Sequence, residues 1–218
     1  FNSKFCLKFS LLNLLIVALI GLLMRYKIGF EFPFFDQKHL QHSHSHFAFS
    51  GWITHTLMVL MIVFLENRTK KIEHSFFKKY NSLLTANLIC AYGMLVFFII
   101  QGYGLFSIIF STASIVVSCV FAYYFVKDLK LISDEVLAKN WFKAALFFNV
   151  ISSLGTFALA YMMISKNIHQ NEYLASIYYY LHFQYNGWFF FACMGLLFSF
   201  LNLKSSENLF FKKTFWLF

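Results

Sequence analysis

Apolar residues fall into six runs, near 8–25, 45–65, 82–101, 104–126, 141–165 and 180–203, with lysines and other charges collected between them. A helix crossing about 30 Å of hydrocarbon needs roughly 20 such residues, and each run is of that order. The pattern predicts an all-α, polytopic transmembrane helical bundle of six spans, folded as a single domain over 1–218. The single proline, Pro33, lies in the first connection, so the spans are expected to be free of proline kinks. The chain begins at Phe1, and its last residues, Phe215-Trp216-Leu217-Phe218, open another apolar segment, expected to be a truncated seventh span. Both features are what the first half of a longer protein would show.

Charge orients the spans. Lys4 and Lys8 precede span 1, and Arg68, Lys70, Lys71, Lys78 and Lys79 lie between spans 2 and 3. Lys127, Lys130, Lys139 and Lys143 lie between spans 4 and 5, and Lys204, Lys212 and Lys213 follow span 6. Connections 26–44, 102–103 and 166–179 are poorer in lysine. Under the positive-inside rule the basic segments face the cytoplasm of a bacterial inner membrane, with the N-terminus inside.

Composition strengthens the membrane assignment. The chain is 60% hydrophobic and 12% charged, with mean hydropathy +0.64, outside the range of soluble domains. Its net charge of +9 belongs to loop lysines, which makes the bilayer its expected partner and excludes nucleic acid. Cys6, Cys90, Cys119 and Cys193 stand singly on different segments, without ligand spacing, and are expected to be buried, reduced thiols.

The candidate chemistry lies in a repeated heptapeptide. His46-Phe47-Ala48-Phe49-Ser50-Gly51-Trp52 returns as His182-Phe183-Gln184-Tyr185-Asn186-Gly187-Trp188, with His, Phe, Gly and Trp identical. The copies lie 136 residues apart (46 to 182), on spans 2 and 6. Helix rise puts His46 about 30 Å from Glu66 and His182 about 33 Å from Lys204, so both are expected near the outer face. His55, about 16 Å from Glu66, is expected near the midplane. At 100° per residue His44, Ala48, Gly51, His55 and Met58 share one stripe of span 2. His42 and His46 share another. If residues 42–46 are helical, His42, His44 and His46 cannot all face one way; if they are extended, all three could.

Neutral imidazole is a common ligand of haem iron and transition metals, and helix bundles build such sites from facing helices. The candidate cofactor-binding residues are His44, His46, His55 and His182, with His42, His46 and His182 as the metal set. Interfacial His and Trp also suit the membrane–water belt without any ligand, the reading favoured for His39 and His42 taken alone. His74 and His169 read as solvated loop residues, and Trp52 and Trp188 as packing anchors. No Asp or Glu lies deep in a run, which argues against an intramembrane hydrolase or an acidic proton relay. The partner boxes of a membrane desaturase are missing, as are HExxH, CxxC and P-loop motifs.

A repeat of four helices, with histidines on the second and sixth, resembles the catalytic subunit of haem–copper oxidases and nitric oxide reductases. His44-Ser45-His46 followed by an aromatic-rich helix is also similar to the NnrS-like relatives of that family. The resemblance implies twelve helices in three arcs of four, with a parallel four-helix repeat. It further implies an axial haem ligand at His44 or His46 and a copper-side ligand at His182. The function implied is haem or copper binding in respiratory or nitric-oxide redox chemistry, with other membrane subunits or an electron donor as partners. The segment His182-Phe183-Gln184-Tyr185 departs from the His-Pro-Glu-Val-Tyr pattern of the main oxidases. The family's seventh- and tenth-helix ligands have no counterpart in these 218 residues. The alternative reading is a non-catalytic membrane carrier or assembly protein for metals or small molecules, with histidines at its outer entrance.

Overall fold

The Asp36 carboxylate sets where the second helix begins. Its Oδ1 accepts from the backbone N–H groups of Lys38 at 2.8 Å and His39 at 2.9 Å, two of the donors a helix start leaves unpaired. Helix therefore starts at Gln37, well before the apolar run it belongs to. The structure, a computed structural model, describes residues 2–69, 74–132, 137–165, 167, 169–201, 213 and 215, with the side chains of 74–77 and 164 left undescribed. The side chain of His74, Lys204 and residues 216–218 of the expected seventh span lie outside these residues.

Among the described residues the chain is helical, without strands, and forms six long helices. They are α1 (Ser3–Gly29), α2 (Gln37–Arg68), α3 (His74–Gln101), α4 (Leu105–Asp128), α5 (Ala138–Ser165) and α6 (170–200). All but α6 are long and apolar enough to cross a membrane. In α6 the polar residues His182, Gln184 and Asn186 interrupt the apolar run. Connections 26–44 and 166–179 are thus shorter than expected, because hydropathy marks only the apolar part of a helix, whereas caps and backbone bonding carry it further. Pro33 lies between α1 and α2, where Lys27 Nζ donates to the carbonyls of Phe32 at 2.6 Å and Phe35 at 2.5 Å.

Two segments are not α-helical. Ala48–Thr54 in α2 and Phe183–Phe189 in α6 are π-helix, each continuous with α-helix on both sides. They overlap the two copies of the heptapeptide, beginning two residues into the first and one residue into the second.

The chain falls into two compact units. The first holds α1, nearly all of α2, α3 and most of α4; the second holds α5, α6 and the end of α4. In the first, α2 is the most enclosed helix: 61% of its apolar window is buried, against 17% for α1. Met58, Val59, Met61, Ile62 and Leu65 of α2 are fully buried, whereas Leu11, Leu15, Leu19 and Leu22 of α1 are exposed, as expected of side chains facing hydrocarbon. Phe47, Val17 and Ala91 join α2, α1 and α3, with Trp52 and Tyr92 packed against them. In the second, Trp141, Phe142, Trp188 and Phe191 form the contact between α5 and α6. Trp188 is fully buried and Trp52 half-buried, both in packing roles. The four cysteines are free, but only Cys90 is buried and Cys193 is exposed, a correction to the expectation of four buried thiols. Cys193 occupies an outward position on an apolar helix, which the run alone does not reveal.

The hydrogen bond from the His39 backbone, followed by that from Lys38, holds the Asp36 carboxyl below the usual carboxylate range. A carboxylate whose pKa is lowered on folding stabilises the fold above its unfolded value and loses that contribution as pH falls through the folded one. Hydrogen exchange at neutral pH is expected to show faster opening of the Lys38 and His39 amides in Asp36→Ala than in the wild type. Below the carboxylate range the difference closes; a gap that persists there would assign the start of α2 to something other than this cap.

Candidate functional site

A π turn bonds each N–H to the carbonyl five residues back, so the widened turn directs some carbonyls away from the α-helical ladder. In α2 two of them receive side chains from neighbouring helices. Asn87 Nδ2 of α3 donates to the Ser50 carbonyl at 3.1 Å, and Asn13 Nδ2 of α1 donates to the Gly51 carbonyl at 2.5 Å. Tyr92 Oη in turn donates to Asn13 Oδ1 at 2.6 Å. Both asparagines are fully buried. A Cβ at Gly51 would lie 2.7 Å from the Phe47 ring, so glycine allows that ring to fold over the segment.

The second copy uses the same parts differently. Gln184, where the first copy has Ala48, donates through Nε2 to Asn149 Oδ1 at 3.1 Å and Ser152 Oγ at 2.7 Å, both on α5. Asn149 follows Asn13 by 136 residues, the interval that separates His182 from His46. Sequence reading missed this pair, although an asparagine inside an apolar run at the repeat interval was a usable signal. At Gly187 a Cβ would lie 2.5 Å from Phe148 Cβ, so this glycine admits α5.

The histidines of α2 separate as helical geometry requires. His42 and His46 face α3. The His46 ring stacks on Phe98 (centroids 4.3 Å apart, 12° between planes), and its Nε2 lies 3.1 Å from Tyr103 Oη. The His42 ring meets Tyr103 edge-on at 4.6 Å. His39 Nδ1 lies 3.3 Å from the Ile99 carbonyl. His44 turns instead to α1, with its Cε1 3.2 Å from where a Cβ would stand at Gly21, and its Nδ1 is buried without a partner. His55 resumes the α-helix after the π segment and is fully buried, and neither ring nitrogen has a partner. The stripe running from His44 to Met58 at 100° per residue does not survive the wider turn between them.

His182 ends the α-helical part of α6 before its π segment and is exposed. Its Nδ1 lies 3.2 Å from Asn186 Nδ2, and its ring meets Phe183 edge-on. His46 belongs to the first unit and His182 to the second. Among the described residues no three His, Cys, Asp or Glu side chains are grouped to hold a metal ion. His42 and His46 lie together against Phe98 of α3 and Tyr103. Comparison with protein-family models, curated proteins and solved structures finds no match to this chain.

Asn13→Leu leaves the Gly51 carbonyl buried without its side-chain donor and the Tyr92 hydroxyl without its acceptor. The expected cost is about 1–3 kcal/mol for each group left unsatisfied, visible as earlier thermal unfolding in detergent. Asn149→Leu removes one of the Gln184 acceptors and is likewise expected to lower the unfolding temperature. Equal unfolding temperatures for Asn13→Leu and wild type would show that the π segment does not depend on this bond.

Proposed function

We propose that this is a haem- or copper-binding membrane protein of oxidase-like type, linked to respiratory or nitric-oxide redox chemistry. The observation that carries the proposal is His55, an imidazole fully buried in the most enclosed helix with both nitrogens unpartnered. The buried serines along α2 do not share that condition: Ser43 Oγ donates to the Leu95 carbonyl at 2.8 Å and Ser50 Oγ to the His46 carbonyl at 2.7 Å. An unmet buried polar group costs about 1–3 kcal/mol, and metal ligation meets such a demand on a neutral imidazole.

The donor chemistry fits haem iron or copper. His55 and His44 would each offer a ring nitrogen, whereas His46 and His182 each have one engaged, by Tyr103 and Asn186. Bound haem or copper would supply one-electron redox chemistry and a position for a small ligand. The chain's own residues do the positioning. Asn13 and Asn87 hold the turn that precedes His55, and Gly21 gives His44 room against α1. Lysine-rich connections support placement in a bacterial inner membrane with the N-terminus cytoplasmic. An electron donor or further membrane subunits are the partners this reading requires. It assigns cofactor binding to these residues and no catalytic step.

The natural full-length protein, purified in mild detergent, is expected to show a Soret band or stoichiometric copper. His55→Ala should remove or shift that signal, whereas His169→Ala should leave it unchanged. Neither chromophore nor copper in material that retains its helical fold would overturn the proposal. So would metal uptake into vesicles that depends on His42 and His46 without any chromophore, the behaviour of a carrier.

A further inference from the structure

A second site lies in the second unit, beside the repeated histidine that the haem reading does not use. A cavity of about 340 Å³ is walled by Phe148 of α5 and by Phe183, Phe190 and Phe191 of α6, with His182 and Asn186 as its polar side chains. Its volume lies at the lower end of the range for small-molecule sites, roughly 300–1,000 Å³. The Phe148 and Phe183 rings stack nearly parallel (centroids 5.7 Å apart, 18° between planes) and together form one wall of the cavity. Gly187, also lining the cavity, adds no side chain to it.

The polar pair defines what the wall can take. Asn186 Nδ2 donates to His182 Nδ1. With that lone pair engaged, a neutral imidazole carries its proton on Nε2, so the ring offers a donor there. Asn186 Oδ1 adds an acceptor. Neither Lys nor Arg lines the cavity, so nothing there recognises a phosphate or carboxylate. A protonated Nε2 also offers no lone pair to a metal. The chemistry left is a flat, uncharged, lipid-soluble ring bearing oxygen.

We propose that this cavity binds a quinone-type headgroup, its ring against the Phe148–Phe183 wall and a carbonyl oxygen accepting from His182 Nε2–H. A hydroxyl, where the ring is reduced, would donate to Asn186 Oδ1. The site uses neither His44 nor His55, so it stands or falls independently of the haem reading.

The test is titration of decylubiquinone into the purified full-length protein, followed by quenching of tryptophan fluorescence, with Trp188 next to Gly187 as the nearby reporter. Decylbenzene, which has a ring and chain but no oxygen, is the comparison ligand. Saturable quenching by decylubiquinone is expected, with decylbenzene a poor competitor. His182→Phe and Asn186→Leu should each weaken binding about tenfold, the loss of roughly one hydrogen bond. His182→Gln, which keeps a donor, should stay within about threefold of wild type. Decylbenzene competing as well as decylubiquinone would overturn the proposal and reduce the cavity to a groove for acyl chains. Unchanged binding in a folded His182→Phe protein would overturn it too, as would copper binding that His182→Phe abolishes without any effect on the quinone. The wild-type comparison of the two ligands decides the matter even if a variant fails to fold.

Discussion

Two asparagine side chains donating to the backbone of α2 organise the first unit. A π segment in an apolar interior is costly because redirected carbonyls have no water to accept from, and each unsatisfied one in hydrocarbon costs several kcal/mol. Asn13 from α1 and Asn87 from α3 meet that demand at Gly51 and Ser50. These bonds are directional, whereas apolar contacts tolerate sliding. They set the height of both neighbouring helices against α2. With that register set, Gly21 lies opposite His44, Leu95 opposite Ser43 and Phe98 opposite His46. The placement of each histidine along α2 follows from two amides that are not themselves candidate ligands.

The same device occurs in the second unit with its parts exchanged. Asn149 follows Asn13 by 136 residues, but it accepts from a side chain, Gln184, at the position Ala48 holds in the first copy. A glutamine can place its amide in the space that a backbone carbonyl bond spans in the first unit. The surroundings have diverged further. His46 is pinned between Phe98 and Tyr103, while His182 is exposed and held by a residue of its own helix. Trp188 is fully buried where Trp52 is half-buried. One peptide thus builds an enclosed position in one unit and an accessible one in the other.

Much of this was legible in the sequence. Apolar runs mark helices because crossing hydrocarbon demands length and composition together, and the six runs correspond to six helices. The helix ends were less legible: Gln37 to Ser43 is too polar to register as part of a span, yet Asp36 caps it and backbone bonding carries it. The heptapeptide pointed to two equivalent elements, but periodicity treats every turn as 100° and so could not show that both copies are π-helical. Sequence reading singled out histidines because they are costly in a membrane. It passed over Asn13, Asn87 and Asn149, which are costly for the same reason and which the fold uses first. His42 and His46 were grouped correctly by their four-residue spacing. The grouping of His46 with His182 rested on equivalence of sequence alone.

What separates structural from functional polar groups in such an interior is whether the fold itself satisfies them. The buried serines 43 and 50 and both donated asparagine amides have partners within the protein. Among the described residues of the first unit, the buried side-chain atoms without partners are His44 Nδ1, both nitrogens of His55 and Asn87 Oδ1. They lie on α2 and on the asparagine that bonds to it. A chain that needed only packing at position 55 would gain by carrying leucine there, since an apolar side chain of similar size brings no desolvation cost. Because His55 sits on the turn after the π segment, the proposed ligand would meet a helix already held from both sides. The rigidity that Asn13 and Asn87 give to the turn is then what a ligand at His55 would require, because an axial nitrogen is effective only when its helix cannot rotate away.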